Sequence, residues 1–279
     1  MRKIFVVTEG ATEREVGKVL YDGKILSHEA KPQLPEWSST MGSQEDCGQE
    51  KGGQEDSSQE KDGQEKHRRV REGSNVIPAL KNENFIAPKV RGGKETRVLL
   101  VFDQEESSSP LKRAKKIETQ LKDGDPSNFW VKVDFQPIGG FDNLFEHKEG
   151  KLHIVLHISS AHIDGINNRD FDGYILKILQ GKYGKDIIKR LASQSISTDD
   201  LIRKAEKEIT ELMRNNGFPW THAKSWLYAY ITVLQYRQSH VSFSRKVVEE
   251  AIKVSKDYVA QIFKSLVFAW NKLATEELQ

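Results

Sequence analysis

The 279-residue chain is poor in the features that would make its class obvious. It has one cysteine, Cys47, which excludes internal disulfides and cysteine-based zinc sites. No apolar run approaches the ~18–20 residues that a membrane span requires. The opening Met1-Arg2-Lys3 is followed by only four apolar residues, Ile4-Phe5-Val6-Val7, before Thr8-Glu9-Gly10. That pattern reads as a strand and not as a signal peptide, so the expectation is a soluble, cytoplasmic protein without a membrane partner. There is no Walker sequence and no G-x-G-x-x-G; Gly92-Gly93 and Gly139-Gly140 read as turns. Hydrophobic residues make up only 37% of the chain. Part of that shortage is local, because residues 43–66 contain no Val, Ile, Leu or aromatic residue.

In their place a Gln-Glu pair recurs five times at intervals of five residues, from Gln44-Glu45 to Gln64-Glu65. Such a stretch has too little apolar surface to offset its ordering entropy, and residues 43–73 are expected to form a disordered insertion. The insertion carries nine acids and six bases, so the rest of the chain holds about +5 of the formal net +2.

What remains has two textures. Up to about residue 180, short apolar strands at 4–7, 98–102, 130–135 and 153–158 alternate with helical stretches near 12–22 and 110–122. The run Val98-Leu99-Leu100-Val101-Phe102 is continuously apolar, as in a strand covered on both faces. This alternation predicts an α/β domain, residues 1–180, with a mostly parallel sheet flanked by helices. From 181 to 279 an all-helical C-terminal region is expected, with helices at 186–192, 198–215, 221–238 and 244–273. Asn216-Gly217-Phe218-Pro219 reads as a stop between two of them. In the last helix Val247, Ala251, Val254, Tyr258, Ile262, Leu266 and Leu273 fall on one face. The aromatic residues of this region (Trp220, Trp226, Tyr228, Tyr230, Tyr236, Phe263, Phe268, Trp270) read as core, with a stacking platform for nucleic acid as the alternative.

Two segments carry chemistry. In Val6-Val7-Thr8-Glu9-Gly10-Ala11-Thr12-Glu13-Arg14-Glu15 an apolar strand ends in Glu9, Gly10 allows a tight turn, and Thr12 with Glu15 has capping-box spacing. In Phe102-Asp103-Gln104-Glu105-Glu106-Ser107-Ser108-Ser109-Pro110 a second strand ends in acids, and Ser109-Pro110 reads as an N-cap followed by proline in the first turn. If both strands belong to one parallel sheet, Glu9, Asp103 and Glu105 emerge at its carboxyl edge, where α/β sheets collect ligands. Converging carboxylates repel one another without a cation, and oxygen-only donors suit Mg²⁺ or Mn²⁺.

This order of motifs resembles the Toprim domain of topoisomerases, bacterial primases and OLD-family nucleases, most closely the small stand-alone Toprim-like proteins of prokaryotes. Thr8-Glu9-Gly10-Ala11-Thr12-Glu13 is similar to their Glu-Gly start, and Asp103-Gln104-Glu105 to their Asp-x-Asp pair with Glu in the second place. Asp170-Phe171-Asp172-Gly173 is similar to an acidic segment that opens a later helix. Lys224-Ser225-Trp226-Leu227-Tyr228-Ala229-Tyr230 resembles the lysine-plus-helix ending. The resemblance implies a divalent-metal-dependent nuclease with Glu9 as general acid/base or metal ligand, Asp103 and Glu105 holding Mg²⁺ or Mn²⁺, and a partner ATPase in a defence system. The alternative is a non-catalytic module that binds nucleic acid or a partner protein.

Glu13, Glu106 and Asp172 are second-rank candidates, read first as surface or capping residues. Lys112, Arg113, Lys115 and Lys116, on the helix after Asp103, either hold a nucleic-acid backbone or form a solvated helix face. His147, His153, His157 and His162 lack the further ligands a zinc site needs; His153 and His157 share one strand face and read as surface histidines.

Overall fold

The computed structural model describes residues 2–32, 76–81, 86–192, 197–217 and 222–277. The expected disordered insertion at 43–73, Cys47, Trp220 and the Phe218-Pro219 part of the stop lie outside the described residues.

Strand β1 (Arg2–Thr8) leads into α1 (Ala11–Asp22) and the short β2 (Ala30–Pro32); α2 (Val76–Leu80) and α3 (Ala87–Arg91) precede β3 (Thr96–Asp103) and α4 (Pro110–Lys122). A hairpin-like edge follows, β4 (Gln136–Pro137) and β5 (Leu144–Glu149), and then β6 (Leu152–Ser159). These six strands form one sheet in the order β2-β1-β3-β6-β5-β4. The β1–β2, β1–β3 and β3–β6 pairs are parallel, whereas β5 runs antiparallel to β6 and β4 antiparallel to β5. The chain continues into α5 (Asp172–Gln180), α6 (Gly184–Leu191), α7 (Thr198–Arg203), α8 (Ile209–Asn215), α9 (Ala223–Val233), α10 (His240–Val254), α11 (Lys256–Ile262) and α12 (Lys264–Thr275). A mostly parallel α/β sheet followed by a helical region is therefore what the chain forms. No helix among the described residues is long and apolar enough to cross a membrane.

Side chains alternate across the sheet with period two. Ile4, Val6, Leu99, Val101 and Val155 point into one core with α1, α5, α6 and the last helices. Phe5, Val7, Val98, Leu100, Phe102, Ile154, Leu156 and Ile158 point into the other, with α4. The helices beyond residue 180 thus share their core with the sheet. Arg97, 1% exposed, fastens α12 to it by donating to the carbonyls of Leu273 and, at 2.6 Å, Glu276. Arg2 does the same for Ala274 and Thr275 at 2.7 and 2.9 Å. Cations at a helix C-terminus also oppose its partial negative charge.

Four expectations need correction. Residues 130–135 are not a strand: Trp130–Lys132 form a 3₁₀ turn. The Asp125 carboxylate accepts the N–H groups of Ser127 and Trp130, and the Trp130 indole donates to the Leu80 carbonyl, so local bonds hold the turn. Residues 244–273 are not one helix, because Ser255 takes an extended backbone (φ −161°) and its hydroxyl caps α11 by accepting from Tyr258 N–H at 3.3 Å. Thr12 is no cap: Gly10 occupies the N-cap of α1 without a side-chain bond, and Thr12 sits inside the first turn. His153 and His157 are not on the surface but fully buried. Their even spacing turns both toward α12, where the Nε2 of His157 meets the Ser265 hydroxyl at 3.0 Å. Burial with no charge nearby pushes His157 down to about 3, so it is a neutral core residue.

Of the aromatic residues read as core, Tyr230, Phe263 and Trp270 are buried, but Tyr228 and Phe268 are 46% and 39% exposed.

Candidate active site

The connection from β1 runs outward to β2 on one side of the sheet, and that from β3 leads toward β6 on the other. Between β1 and β3 the chain therefore switches direction, with α1 on one face and α4 on the opposite face. Crevices at the carboxyl ends of such strand pairs are where α/β sheets bind ligands. Glu9 follows β1 and Asp103 ends β3. They line a cleft of about 680 Å³ together with Glu13, Glu105, Asp170 and Asp172.

Local bonds fix the pair. The Glu9 N–H donates to the Val101 carbonyl at 3.0 Å, extending the β1–β3 ladder by one step, and the Glu9 carboxylate accepts the Asp103 N–H at 2.8 Å. Arg113 closes the arrangement. Its Nη2 reaches both Glu9 oxygens at 3.0 and 3.3 Å, its Nε donates to the Asp103 carbonyl at 2.8 Å, and its Nη1 meets Glu105 at 2.9 Å. This arginine lies on the stripe of α4 that faces the sheet (Arg113, Ala114, Ile117, Leu121), and only 6% of its side chain is exposed. The expected nucleic-acid contact at Arg113 is thus a buried clamp between three acidic positions. Lys112, Lys115 and Lys116 are exposed on the same helix; Lys115 pairs with Glu118 and Asp134 at 3.2 and 3.4 Å. The Ser109 cap holds as expected, accepting the Lys112 N–H at 3.3 Å.

Glu105 lines the rim. Its side chain is 48% exposed and turned to Arg113. Its backbone sits at φ +53°, a conformation uncommon for a residue with a Cβ, and its N–H donates to the Arg169 carbonyl at 3.2 Å. Glu106 is exposed in a neighbouring hollow.

Asp103 shares the floor with Glu13 and Asp172, which the sequence placed second, and with Asp170. Glu13, expected at the surface, is 5% exposed, and burial followed by the charges of Asp172, Glu9 and Asp170 pushes it up to about 8. A Cβ on Gly10 would come within 2.6 Å of the Glu13 Oε2, so the missing side chain at position 10 is what lets this carboxyl stand where it does. Asp103 accepts the Phe171 N–H at 2.8 Å; burial, then Glu13 and Asp170, raise it well above the ordinary carboxylate range. Asp172, half-buried at the start of α5, is pushed up to about 7 by burial and by Asp170, against the opposing Lys224. Its Oδ1 is buried and has no hydrogen-bond partner. Asp170 accepts the Gly173 N–H at 3.0 Å and is raised, chiefly by burial. Glu9 is raised as well, since burial outweighs Arg113.

The opposite wall joins Lys224 and Tyr228, from the segment that resembles the lysine-plus-helix ending, to Asn168, His222 and His240, which the sequence did not single out. Asn168 and His222 are hydrogen-bonded to each other at 2.8 Å, and His240 meets the Thr12 hydroxyl at 3.3 Å. Burial, helped by Lys224, lowers His240 to about 4, which makes it neutral at physiological pH. No local pattern announced His222 and His240, because α9 and α10 reach the cleft only through packing against α5 and α1.

Charge counting separates this cleft from a second acidic group. Glu146, His153 and Glu276 bring ligand atoms within 4.8 Å of one another. There, however, Lys272 stands 3.3 and 3.2 Å from the two carboxylates and Lys148 2.9 Å from Glu276, so two anions meet two cations. In the cleft six carboxylates face Arg113 and Lys224, and Arg113 is already engaged by Glu9 and Glu105. Four acids therefore share one lysine.

No family model matches the chain, and no curated protein or solved structure matches it.

Proposed function

We propose that this cleft is the active site of a Toprim-like, divalent-metal-dependent nuclease. The observation that carries the reading is the uncompensated group of carboxylates, Glu13, Asp103, Asp170 and Asp172, buried at the switch point of a mostly parallel sheet. Hard oxygen donors of this kind match Mg²⁺ or Mn²⁺, and the buried, unpartnered Oδ1 of Asp172 fits a cation ligand. Asp103, Asp170, Asp172 and Glu13 would hold the ion, with Glu9 beside them. When bound, it would neutralise charge on a phosphodiester and lower the pKa of a water molecule.

The chain's own groups do the rest. Arg113 and the Asp103 N–H hold Glu9 in one orientation, as a general acid/base requires. Its raised pKa brings Glu9 closer to the range in which a carboxyl can exchange a proton at neutral pH. Lys224, which makes no ion pair among the described residues, supplies a cation to meet a non-bridging phosphate oxygen, and Asn168 with His222 supplies hydrogen-bond donors beside it. Lys116 faces the approach to the cleft as a backbone contact.

The test is cleavage of end-labelled DNA and RNA by the full chain in Mg²⁺ and in Mn²⁺. Metal-dependent cleavage that falls at least about a hundredfold in Asp103→Asn is expected, comparable to removing one electrostatic stabiliser. Cleavage undiminished in that variant contradicts the assignment, and a wild type inert on every substrate would favour a non-catalytic binding module.

A further inference from the structure

We propose that the substrate enters this cleft as an unpaired strand, with a base stacked on Tyr228 and a neighbouring phosphate on Lys116; the inference rests on the nuclease reading and names the form of its substrate. Depth is the first argument. The floor is recessed: Glu13 is 5% exposed and the Glu9 side chain 10%. A cleft of about 680 Å³ has the volume of a small-ligand pocket. A duplex presents its phosphates on a stiff convex cylinder, whereas a single strand can turn its backbone inward to acids set back from the rim. Enzymes that act on a base inside the stack likewise take single strands or extruded nucleotides.

The rim is the second argument. Of the large apolar side chains exposed among the described residues, Tyr228 is the one that lines the cleft. It stands on α9 against the His240 ring, with centroids 5.9 Å apart, so one edge is supported and the rest of the ring is open. A core role does not account for a tyrosine 46% exposed at the mouth of an acidic pocket. An aromatic platform for a base does, since every base has a π-face and stacking is indifferent to sequence.

Continuity is the third. A second hollow of about 510 Å³ shares Glu105, Asn168 and His222 with the cleft and ends on Ser107 and Lys116. The two form one track that runs from Tyr228 past the carboxylate floor to Lys116. Lys115 on the adjacent helix position is held by Glu118 and Asp134, whereas Lys116 makes no ion pair among the described residues. A flexible strand can follow such a track with one nucleotide in each hollow.

Fluorescence anisotropy tests this with short labelled DNA and RNA single strands and the matching blunt duplexes, on the full chain in Ca²⁺. The single strand should bind at least about tenfold more tightly than the duplex. Tyr228→Ala should weaken single-strand binding by about tenfold or more, as loss of a stacked base does. Tyr228→Trp should retain it, and neither variant should change the melting temperature. Lys116→Ala should flatten the salt dependence by about 0.7, the slope of one single-strand phosphate contact. Equal affinity for duplex and single strand, or unchanged binding in Tyr228→Ala, overturns the proposal. Parallel cleavage assays in Mn²⁺ keep the two claims apart. Asp103-dependent cleavage of duplex and single strand alike would leave the nuclease and remove the strand track. Tyr228-dependent binding without cleavage would leave the track and remove the nuclease.

Discussion

Glu13 shows how burial and charge act at the scale of one residue. An isolated glutamate titrates near 4.5, and this one is pushed up to about 8. Asp172 moves in the same sense, from 3.8 to about 7. Both groups keep their protons in the folded chain over a range where the unfolded chain has lost them. The native state then binds more protons than the unfolded one, so stability falls as pH rises. The loss accumulates between about pH 4 and pH 8, bounded by the ordinary and the raised values of these two groups. Thermal melts of the metal-free protein across that range should show a steadily falling Tm, shallower in Asp172→Asn. A Tm that rises over the same range would contradict the placement of these carboxyls. Glu105 is placed differently, with its carboxylate turned to Arg113 at the rim. Glu105→Gln is expected to keep cleavage within about tenfold of wild type, whereas Asp103→Asn is not; equal losses in the two would put Glu105 on the floor with Asp103.

At the scale of elements, the parts legible in the sequence were those fixed by local rules. The apolar runs that end in Glu9 and Asp103 became adjacent parallel strands, and Ser109-Pro110 opened α4 as its chemistry requires. Sheet neighbours and edge strands were less legible. β2 and β4 are too short to show a period, and β5 is half polar because only its first residues are buried. The 244–273 stretch misled because α10, α11 and α12 face the same core, so the apolar spacing runs on across a break made by one extended residue, Ser255. Likewise Glu13 reads as a first-turn acid, which is common on helix surfaces; the packing of α10 on α1, with α5 and α9 beside it, buries it. Two element-scale outcomes follow. Ser255→Ala removes the α11 cap and should cost about 1 kcal/mol in denaturant unfolding. Arg97→Met leaves the last carbonyls of α12 without their buried donors and should cost about 3 kcal/mol or more. If Arg97→Met unfolds like wild type, α12 is not held to the sheet in this way.

For the whole molecule, the formal net charge of +2 gives no hint of where charge is unbalanced. The second acidic group at Glu146, His153 and Glu276 is neutralised by its own lysines, while the cleft concentrates six acids that share only Arg113 and Lys224. Mn²⁺ binding followed by electron paramagnetic resonance distinguishes the two groups. Titrated into the wild-type chain near pH 8, Mn²⁺ should be bound and its free signal suppressed. Binding should be lost in Asp103→Asn and weakened in Asp172→Asn, and it should be unchanged in Glu146→Gln. A wild type that leaves the Mn²⁺ signal untouched, or one whose binding survives Asp103→Asn and disappears in Glu146→Gln, would contradict that contrast.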